Sequence, residues 1–481
     1  MKRCFFYFFA LTVFGLGILL TLEQGRKLPA PQTAVPDLPS PVAGAAGVPG
    51  VEPSASLVEN LQENLRDPLT RLFVQLILII VAARVCGALA VRIRQPAVVG
   101  EMIAGILLGP SLLGWLWPDF FHFVFPAASL GSLRLFSQIG VCLFMFVVGM
   151  ELEVGQLKRQ ARIAVLVSQA SILFPFLLGM AGALFLFSTF AQPATTFPAF
   201  ALFIGVSMSI TAFPVLARIL EERGLTRTAL GATALVCAAM NDVTAWCILA
   251  LVVAIAKAKN LGLAAFSIGL VVLFVGVMLF WIKPRLPRWL DRAGHAGAKS
   301  GTGLMAGVLI FVFASALATD VMGIHALFGS FLAGVVMPAR GEFREFLRLR
   351  LEHFSSVFLL PLFFAFTGLR TQIGLLNDTS GWLICAGLIG IATAGKLGGA
   401  MFTARLTGAN WVDAFALGAL MNTRGLVELI ALNIGYDLGI LSPHIFAMLV
   451  IMALATTCMT GPLLGFSDYL RAGKRLAATP A

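Results

Sequence analysis

The feature that most constrains this chain is a long series of apolar segments, each close to the length needed to cross a lipid bilayer. A spanning α-helix needs about 20 apolar residues, and thirteen segments near that length lie between residues 71 and 467. Only 12% of the residues are charged, whereas soluble domains carry about 25%. We therefore predict an all-α polytopic membrane protein. Its thirteen predicted helices cover residues 71–93, 97–117, 132–150, 162–188, 197–219, 229–256, 263–282, 303–319, 322–338, 354–369, 381–404, 412–435 and 443–467.

The two ends of the chain differ from this central region. Residues 1–21 combine two basic residues with an apolar run, which predicts a signal peptide or an N-terminal anchor. Residues 22–70 are rich in Pro, Ala, Val and Gly, which predicts a disordered extracytoplasmic tether. Residues 71–467 form the predicted transmembrane domain, and residues 468–481 form a predicted cytoplasmic tail.

Lys and Arg are concentrated in alternate loops between the predicted helices. They follow the odd-numbered helices, as in the loop after helix 7, which holds Lys283, Arg285 and Arg288, whereas the even-numbered loops hold few. Basic loops face the cytoplasm, so the beginning of helix 1 is predicted outside and the C-terminus inside, in a plasma (bacterial inner) membrane. The net charge of +11 is then explained without a nucleic-acid partner.

Thirteen helices divide into six, one linker and six. Helices seven positions apart then cross the membrane in opposite directions, as in the inverted repeats of secondary transporters. Two predicted helices at matched positions carry polar interruptions. Helix 5 contains Ser209, Thr211 and Pro214, and helix 12 contains Asn422 and Thr423. Interrupted helices at matched positions indicate a transport site, although a proline kink in one helix alone would have a structural explanation.

Asp242 is the strongest single candidate for function, because it lies near the middle of predicted helix 6. A carboxylic acid inside a membrane favours its protonated form, and a bound cation favours the ionised form. One group can therefore hold either a proton or a metal ion. Asn241 could supply a second oxygen ligand or position Asp242, and the alternative for Asp242 itself is a structural polar contact.

Four further charges lie well inside predicted helices: Arg84, whose long side chain can extend to the cytoplasmic face, and Lys396, Arg424 and Glu428. Lys396 in helix 11 needs a carboxylate or a broken helix end as its partner, so it either pairs with Asp242 or braces the crossing of the broken helices; we favour bracing. Arg424 and Glu428 are spaced i, i+4 and can pair on one helix face. We predict a structural role first for that pair. Cysteine and histidine spacings predict no metal site besides the one for a transported cation, and no cofactor is expected.

Several long motifs resemble those of the cation:proton antiporter-2 family, most closely its plant-type cation/H+ exchangers. The resemblance covers residues 71–467, and its most specific stretches are QPAVVGEMIAGILLGPSLLG (95–114), SMSITAFPVLARILEERGL (207–225), AAMNDVTAWCILA (238–250), GIHALFGSFLAGVVMP (323–338), GKLGGA (395–400) and MNTRGLVELIALNIG (421–435).

This resemblance implies a thirteen-helix fold with two crossed, broken helices and a separate dimerisation domain, hence a homodimer. It implies that Asp242 binds proton and cation in turn, with Asn241, Ser209 and Thr211 as further cation-binding residues and with Asn422, Thr423 and Lys396 in supporting positions. No cytoplasmic regulatory domain of the kind found in many family members is expected after the last helix.

We therefore predict a secondary antiporter that exchanges K+ or Na+ for H+ by alternating access. One alternative is a sodium-coupled symporter of organic solutes on a similar fold. Another is an ion channel or a sensory membrane subunit without proton counterflow. An enzyme is not expected, because no nucleophile–base pair or resident metal set is present in the sequence.

Overall fold

The computed structural model is helical and describes most of the chain. The described residues are 15–25, 27, 67–93, 95–151, 157–193, 195–226, 228–257, 261–288, 301–323, 325–338 and 341–477. The predictions made for residues 1–14 and 28–66, which cover most of the proposed signal segment and tether, lie outside them. Residues 15–25 are helical, and a Cβ on Gly17 would lie 3.1 Å from Cδ2 of Leu177 in the transmembrane domain.

The described helices follow the predicted order. They are α1 (Pro68–Arg92), α2 (Ala97–Leu108), α3 (Leu130–Glu151), α4 (Leu157–Phe190), α5a (Phe197–Ser209), α5b (Phe213–Glu222), α6 (Ala229–Lys257), α7 (Leu261–Gly276), α8 (Gly301–Val321), α9 (Ala326–Val335), α10 (Leu360–Arg370), α11 (Thr379–Leu406), α12a (Trp411–Met421), α12b (Leu426–Asp437) and α13 (Pro443–Ala477). Short helices at Leu113–Leu116 and Pro118–Val124 connect α2 to α3, and π-helical turns at Val277–Ile282 and Ser355–Leu359 follow α7 and precede α10.

The predicted count of thirteen spans is approximate. Among the described residues, 11 helices are long and apolar enough to cross a membrane, or up to 12 when the bent pair α12a and α12b counts as one span. The remaining predicted helix, α9, has only 10 residues, about 15 Å at 1.5 Å per residue, half the thickness of a bilayer core. Its prediction at 322–338 was too long, because apolar residues continue into the turns on both sides.

The boundary predicted for helix 10 is also different in the structure. The amphipathic helix Gly341–Phe354 runs through the π-helical turn directly into α10, and the apolar span covers Val357–Leu375. The arginines of residues 341–354 made this segment resemble a loop. At the C-terminus, α13 continues to Ala477 and so includes most of the predicted tail.

The helices pack in two groups. In the group that we call the bundle, α4, α5a, α5b, α6, α11, α12a, α12b and α13 pack mainly against one another. In the second group, the scaffold, α1, α2, α3, α8, α9 and α10 do the same. Close backbone approach holds the scaffold together: a Cβ on Gly105 of α2 would lie 2.2 Å from the carbonyl oxygen of Phe364 in α10, so only glycine fits there.

Candidate functional site

The first broken helix stops and restarts around three extended residues in the bundle. α5a ends at Ser209, and α5b begins at Phe213 with Pro214 in its first turn. Because proline has no N–H, the carbonyl of Ile210 has no helical partner. The last carbonyl groups of α5a and the first N–H groups of α5b are therefore left without intrahelical hydrogen bonds in the interior of the protein.

The second broken helix bends by 43° between α12a and α12b, across residues 422–425. Gly425 has φ 153°, a backbone conformation that favours glycine, and a Cβ there would lie 2.9 Å from Cγ2 of Val215 in α5b. The hydroxyl of Thr457 in α13 accepts the backbone N–H of Arg424 at 3.1 Å. The interruption is thus held by a neighbouring helix.

The two interruptions contact each other directly. The backbone N–H of Ala212 donates to the carbonyl of Thr423 at 3.1 Å, and the Thr211 hydroxyl donates to the carbonyl of Met421 at 2.9 Å. Asn241 of α6 joins them, because its Oδ1 accepts the backbone N–H of Thr211 at 3.0 Å. Sequence reasoning predicted two interrupted helices at matched positions, and the structure brings both interruptions together.

Two basic side chains cover the carbonyl end of α5a. The ammonium of Lys396 donates to the Ser209 carbonyl and to the Thr211 hydroxyl. The Arg424 guanidinium donates to the carbonyls of Ser207 and Met208, each at 2.7 Å. Both side chains are fully buried. A helix C-terminus carries negative partial charge, so these two cations satisfy carbonyl groups that the helix break leaves open.

Arg424 also forms the i, i+4 ion pair that its spacing predicts, with 3.0 Å between its Nη1 and Oε1 of Glu428. Glu428 lies in the first turn of α12b, where an anion is favoured by the helix dipole. This arrangement agrees with a structural role for the pair. For Lys396, the observed contacts are those of the bracing role and not of an ion pair with Asp242.

Asp242 is fully buried, and neither of its carboxylate oxygens has a hydrogen-bond partner among the described residues. The backbone N–H of Phe213, at the N-terminus of α5b, faces the carboxylate without reaching hydrogen-bond geometry. Asn422 is likewise buried with both amide atoms unpartnered. Buried polar atoms are nearly always paired in proteins, so unpaired oxygens at a helix crossing indicate a place for a ligand.

The side chains of the other predicted site residues, the ligands Ser209 and Asn241 and the supporting residue Thr423, contact neighbouring polar groups. The Ser209 hydroxyl donates to the Gly205 carbonyl at 2.7 Å, and the Nδ2 of Asn241 donates to Ser171 at 3.0 Å. The Thr423 hydroxyl lies 3.3 Å from that of Thr460. A direct role of these side chains in ion binding stays a prediction, as does that of Thr211.

Three residues around the site were missed by sequence reasoning. Ser171 of α4 holds Asn241, Thr457 of α13 holds the α12 break, and Trp246 of α6 lies one turn beyond Asp242. The hydroxyls gave a weak signal, because each lies near other Ser or Thr residues in an otherwise apolar helix. Nothing in the sequence identified which of those hydroxyl groups face the site.

The chain is similar to known membrane transport proteins over most of its length. The family model "Sodium/hydrogen exchanger, transmembrane" matches residues 79–466. The chain is 44% identical over 400 residues to the Na+/H+ antiporter NhaS4 of Synechocystis, covering 82% of this chain and 97% of that protein.

Longer relatives match over the same region. The identity is 39% to cation/H+ antiporter 17 of Arabidopsis thaliana, with 83% of this chain and 48% of the relative covered. It is 34% to K+/H+ antiporter 1 of Saccharomyces cerevisiae, with 87% and 49% covered. This chain thus spans about half the length of these two relatives.

A solved structure has the same fold. The sodium proton antiporter MjNhaP1 from Methanocaldococcus jannaschii superimposes with a TM-score of 0.55 at 15% sequence identity, covering 82% of this chain and 96% of that one. At this identity the likeness concerns the fold, and it agrees with the predicted architecture of crossed, interrupted helices.

Proposed function

Because the chain belongs to the sodium/hydrogen exchanger family of membrane proteins, we propose that it is a secondary antiporter in which Asp242 carries a proton one way and a monovalent cation the other. The observation that carries this proposal is the pair of unpartnered, fully buried oxygens of Asp242 beside the crossing of two broken helices. A carboxylate in such a place needs either a proton or a cation. It cannot hold both well, and this competition is what couples the two fluxes.

Asn422 is a second residue at the crossing whose side-chain oxygen has no hydrogen-bond partner among the described residues, and Oε2 of Glu428 is another such oxygen. Alkali cations are hard ions that bind oxygen ligands, as Ca2+ and Mg2+ do, and a neutral amide oxygen next to a carboxylate adds coordination without adding charge. In this proposal Asp242 supplies the charge and Asn422 supplies a further ligand. Asn241 holds the α5 break through the 3.0 Å hydrogen bond from the Thr211 N–H, and the Thr211 hydroxyl joins that break to the Met421 carbonyl of α12a.

The charges at the crossing favour a one-for-one exchange. The charges of Arg424 and Glu428 cancel, so the net charge of the site depends on Lys396 and Asp242. With a proton on Asp242 the site carries one net positive charge, and with one monovalent cation bound to the carboxylate it carries the same charge. Both loaded forms then meet the same electrostatic barrier in the membrane. A gradient of one pH unit supplies about 1.4 kcal/mol per proton. In a one-for-one exchange this drives about tenfold accumulation of the cation.

The movement that carries Asp242 between the two sides is proposed to be a displacement of the bundle against the scaffold. Most close backbone contacts lie within each of the two helix groups, which supports that view. The family resemblance also implies that the scaffold side forms a homodimer. Loop charges orient the protein with the ends of α8, α10 and α12b on the extracytoplasmic side of a plasma membrane. The named activities of the relatives include both Na+ and K+ exchange, so both ions are candidate substrates.

The test uses purified full-length protein in vesicles that hold a pH-sensitive dye and an acidic interior. Addition of Na+, K+ or Li+ outside should release protons from wild type and from Asp320→Asn, a matched change at an exposed carboxylate. Asp242→Asn should abolish this release while unfolding at an equal or higher temperature, because it removes an unpaired buried charge.

Exchange that survives in Asp242→Asn would move the site elsewhere. Sodium-dependent uptake of an organic solute without proton release would favour the symporter, and cation flux without proton counterflow would favour a channel.

A further inference from the structure

The extracytoplasmic end of α12b is tied to the scaffold by a cluster of charges. Asp437, the last residue of that helix, has its Oδ1 2.7 Å from Nη1 of Arg370 and its Oδ2 3.1 Å from Nη2 of Arg134. Arg370 ends α10, and Arg134 lies in the first turns of α3. One carboxylate of the bundle is therefore held by two guanidinium groups that belong to different helices of the scaffold.

A second layer of contacts lies one turn below, on the same helices. The Oδ1 of Asn433 accepts from Arg370 at 3.1 Å, and its Nδ2 donates to the Thr367 hydroxyl at 2.8 Å. Arg370 also lies 4.1 Å from the ring centroid of Phe366 and 5.2 Å from that of Tyr436, so it contacts an aromatic ring in each group. The contacts of Asn433 and Tyr436 join α12b to α10, whereas the contact of Arg370 with Phe366 lies within α10.

Next to these contacts is a small cavity with a mainly apolar lining. Its volume is about 30 Å³, room for about two water molecules. Its lining includes residues of both groups, among them Ser137, Gln138, His325, Ile430 and Asn433. The cavity therefore lies between the bundle and the scaffold, and Asp437 is part of its lining.

An aromatic contact between the two groups lies one helical turn from Asp242 toward this side. Trp246, one turn beyond Asp242 on α6, stacks on Phe331 of α9, with 6.0 Å between ring centroids and 27° between ring planes. Trp246 is 2% exposed, and its indole N–H has no hydrogen-bond partner. This pair again joins the bundle to the scaffold, at the depth of the proposed ion site.

We propose that Asp437, Arg134 and Arg370 form a latch that holds the extracytoplasmic side of the transporter closed, with Trp246 and Phe331 as an inner seal. To open the extracytoplasmic side, the bundle must move away from the scaffold there, and this movement breaks both ion pairs. The latch rests on the proposed function, since it presumes that the two groups move. Because its three side chains are 16–45% exposed, the ion pairs are reformable, as a latch that opens in every cycle requires.

The first test measures access to Ile430, which is 1% exposed beneath the latch. Ile430→Cys is introduced into a cysteine-free background whose unfolding temperature matches that of the wild type. Its reaction with a membrane-impermeant charged thiol reagent added from the extracytoplasmic side is then timed. Asp437→Asn should speed this labelling about tenfold, a shift of about 1.4 kcal/mol in the closed-to-open equilibrium. Arg134→Gln should act in the same direction.

The matched control is Asp413→Asn. It breaks a 2.7 Å ion pair with Arg471 that joins two helices of the bundle to each other, so it should leave the labelling rate unchanged. A labelling rate in Asp437→Asn equal to that of the parent would overturn the latch. So would equal acceleration by Asp413→Asn, because the effect would then follow from general loosening.

The second test does not depend on how well Asp437→Asn folds. Arg134→Cys and Asp437→Cys are combined and joined by a cleavable bifunctional thiol reagent. The bridge should stop exchange, and reduction should restore it; exchange that continues with the bridge complete would refute the latch. The labelling assay needs no transport. A protein that moves no protons would therefore contradict the proposed function while its labelling rates still decide the latch.

Discussion

Lys396 offers the sharpest test of how the broken helix α5 is stabilised. Its ammonium donates to the Ser209 carbonyl and the Thr211 hydroxyl. Lys396→Met keeps a long, unbranched side chain but removes both donors. The Ser209 carbonyl then lacks this partner in the interior, at a cost of about 1–3 kcal/mol. The end of α5a also loses a favourable charge, worth up to about 2 kcal/mol.

One effect opposes these losses. The variant no longer buries an ammonium group, which relieves a desolvation cost. The Thr211 hydroxyl also keeps its hydrogen bond to the Met421 carbonyl. We therefore expect a net loss of about 2–3 kcal/mol in the free energy of unfolding, enough to lower the melting temperature by several degrees.

The assay compares two readouts on the same preparations. Fluorescence-monitored unfolding in detergent gives the melting temperature, and vesicle exchange well below that temperature gives turnover. Lys396→Met should clearly lower the melting temperature and retain the turnover. Lys257→Met, at an exposed helix end, should change neither the melting temperature nor the turnover. An unchanged melting temperature with exchange abolished would refute the bracing argument and place Lys396 in the transport step.

Two further predictions follow from buried groups. Arg424→Gln should destabilise the protein by about 3–5 kcal/mol, because it leaves Glu428 buried without its partner; adding Glu428→Gln should recover part of this in a double-mutant unfolding cycle, and full additivity would argue against the pair. Burial lowers the pKa of His325 to about 4, from 6.5. The unfolded chain then binds the proton more tightly, so stability should be unaffected above pH 6.5 and fall as pH drops from 6.5 toward 4, by up to about 3 kcal/mol. His325→Asn, which keeps an acceptor for the Leu327 N–H, should flatten the dependence in unfolding titrations; an unchanged slope would show that other groups cause it.

Much of the fold was predictable because the bilayer acts on each segment separately. Apolar length marks a span whatever its neighbours are, so every long helix was found near its predicted place. The predicted helix boundaries were least accurate where contacts with other helices determine where a helix begins and ends. The helix α9 is 10 residues long, and the helix before α10 begins in a stretch of arginines, since in both places packing against other helices outweighs local hydropathy.

The sequence also indicated which residues meet at the crossing, but not how they share their hydrogen bonds. Ser209, Thr211 and Asn241 were predicted as ion ligands, because hydroxyl and amide groups in a membrane helix are suitable for that role. In the structure their side chains are used to hold the helix breaks. Asp242 and Asn422 are the two predicted residues there whose side chains make no hydrogen bond to the described residues.

The sequence by itself determined the class of protein, the order of its helices and the acidic residue at mid-membrane, because each depends on local composition or on a continuous motif. The tertiary structure alone decided which oxygens stay unpaired and which charges join the two helix groups. Thr211 and Met421 are 210 residues apart, and Arg134 and Asp437 are 303 apart. Contacts over such separations arise from packing of whole helices, which no local pattern records.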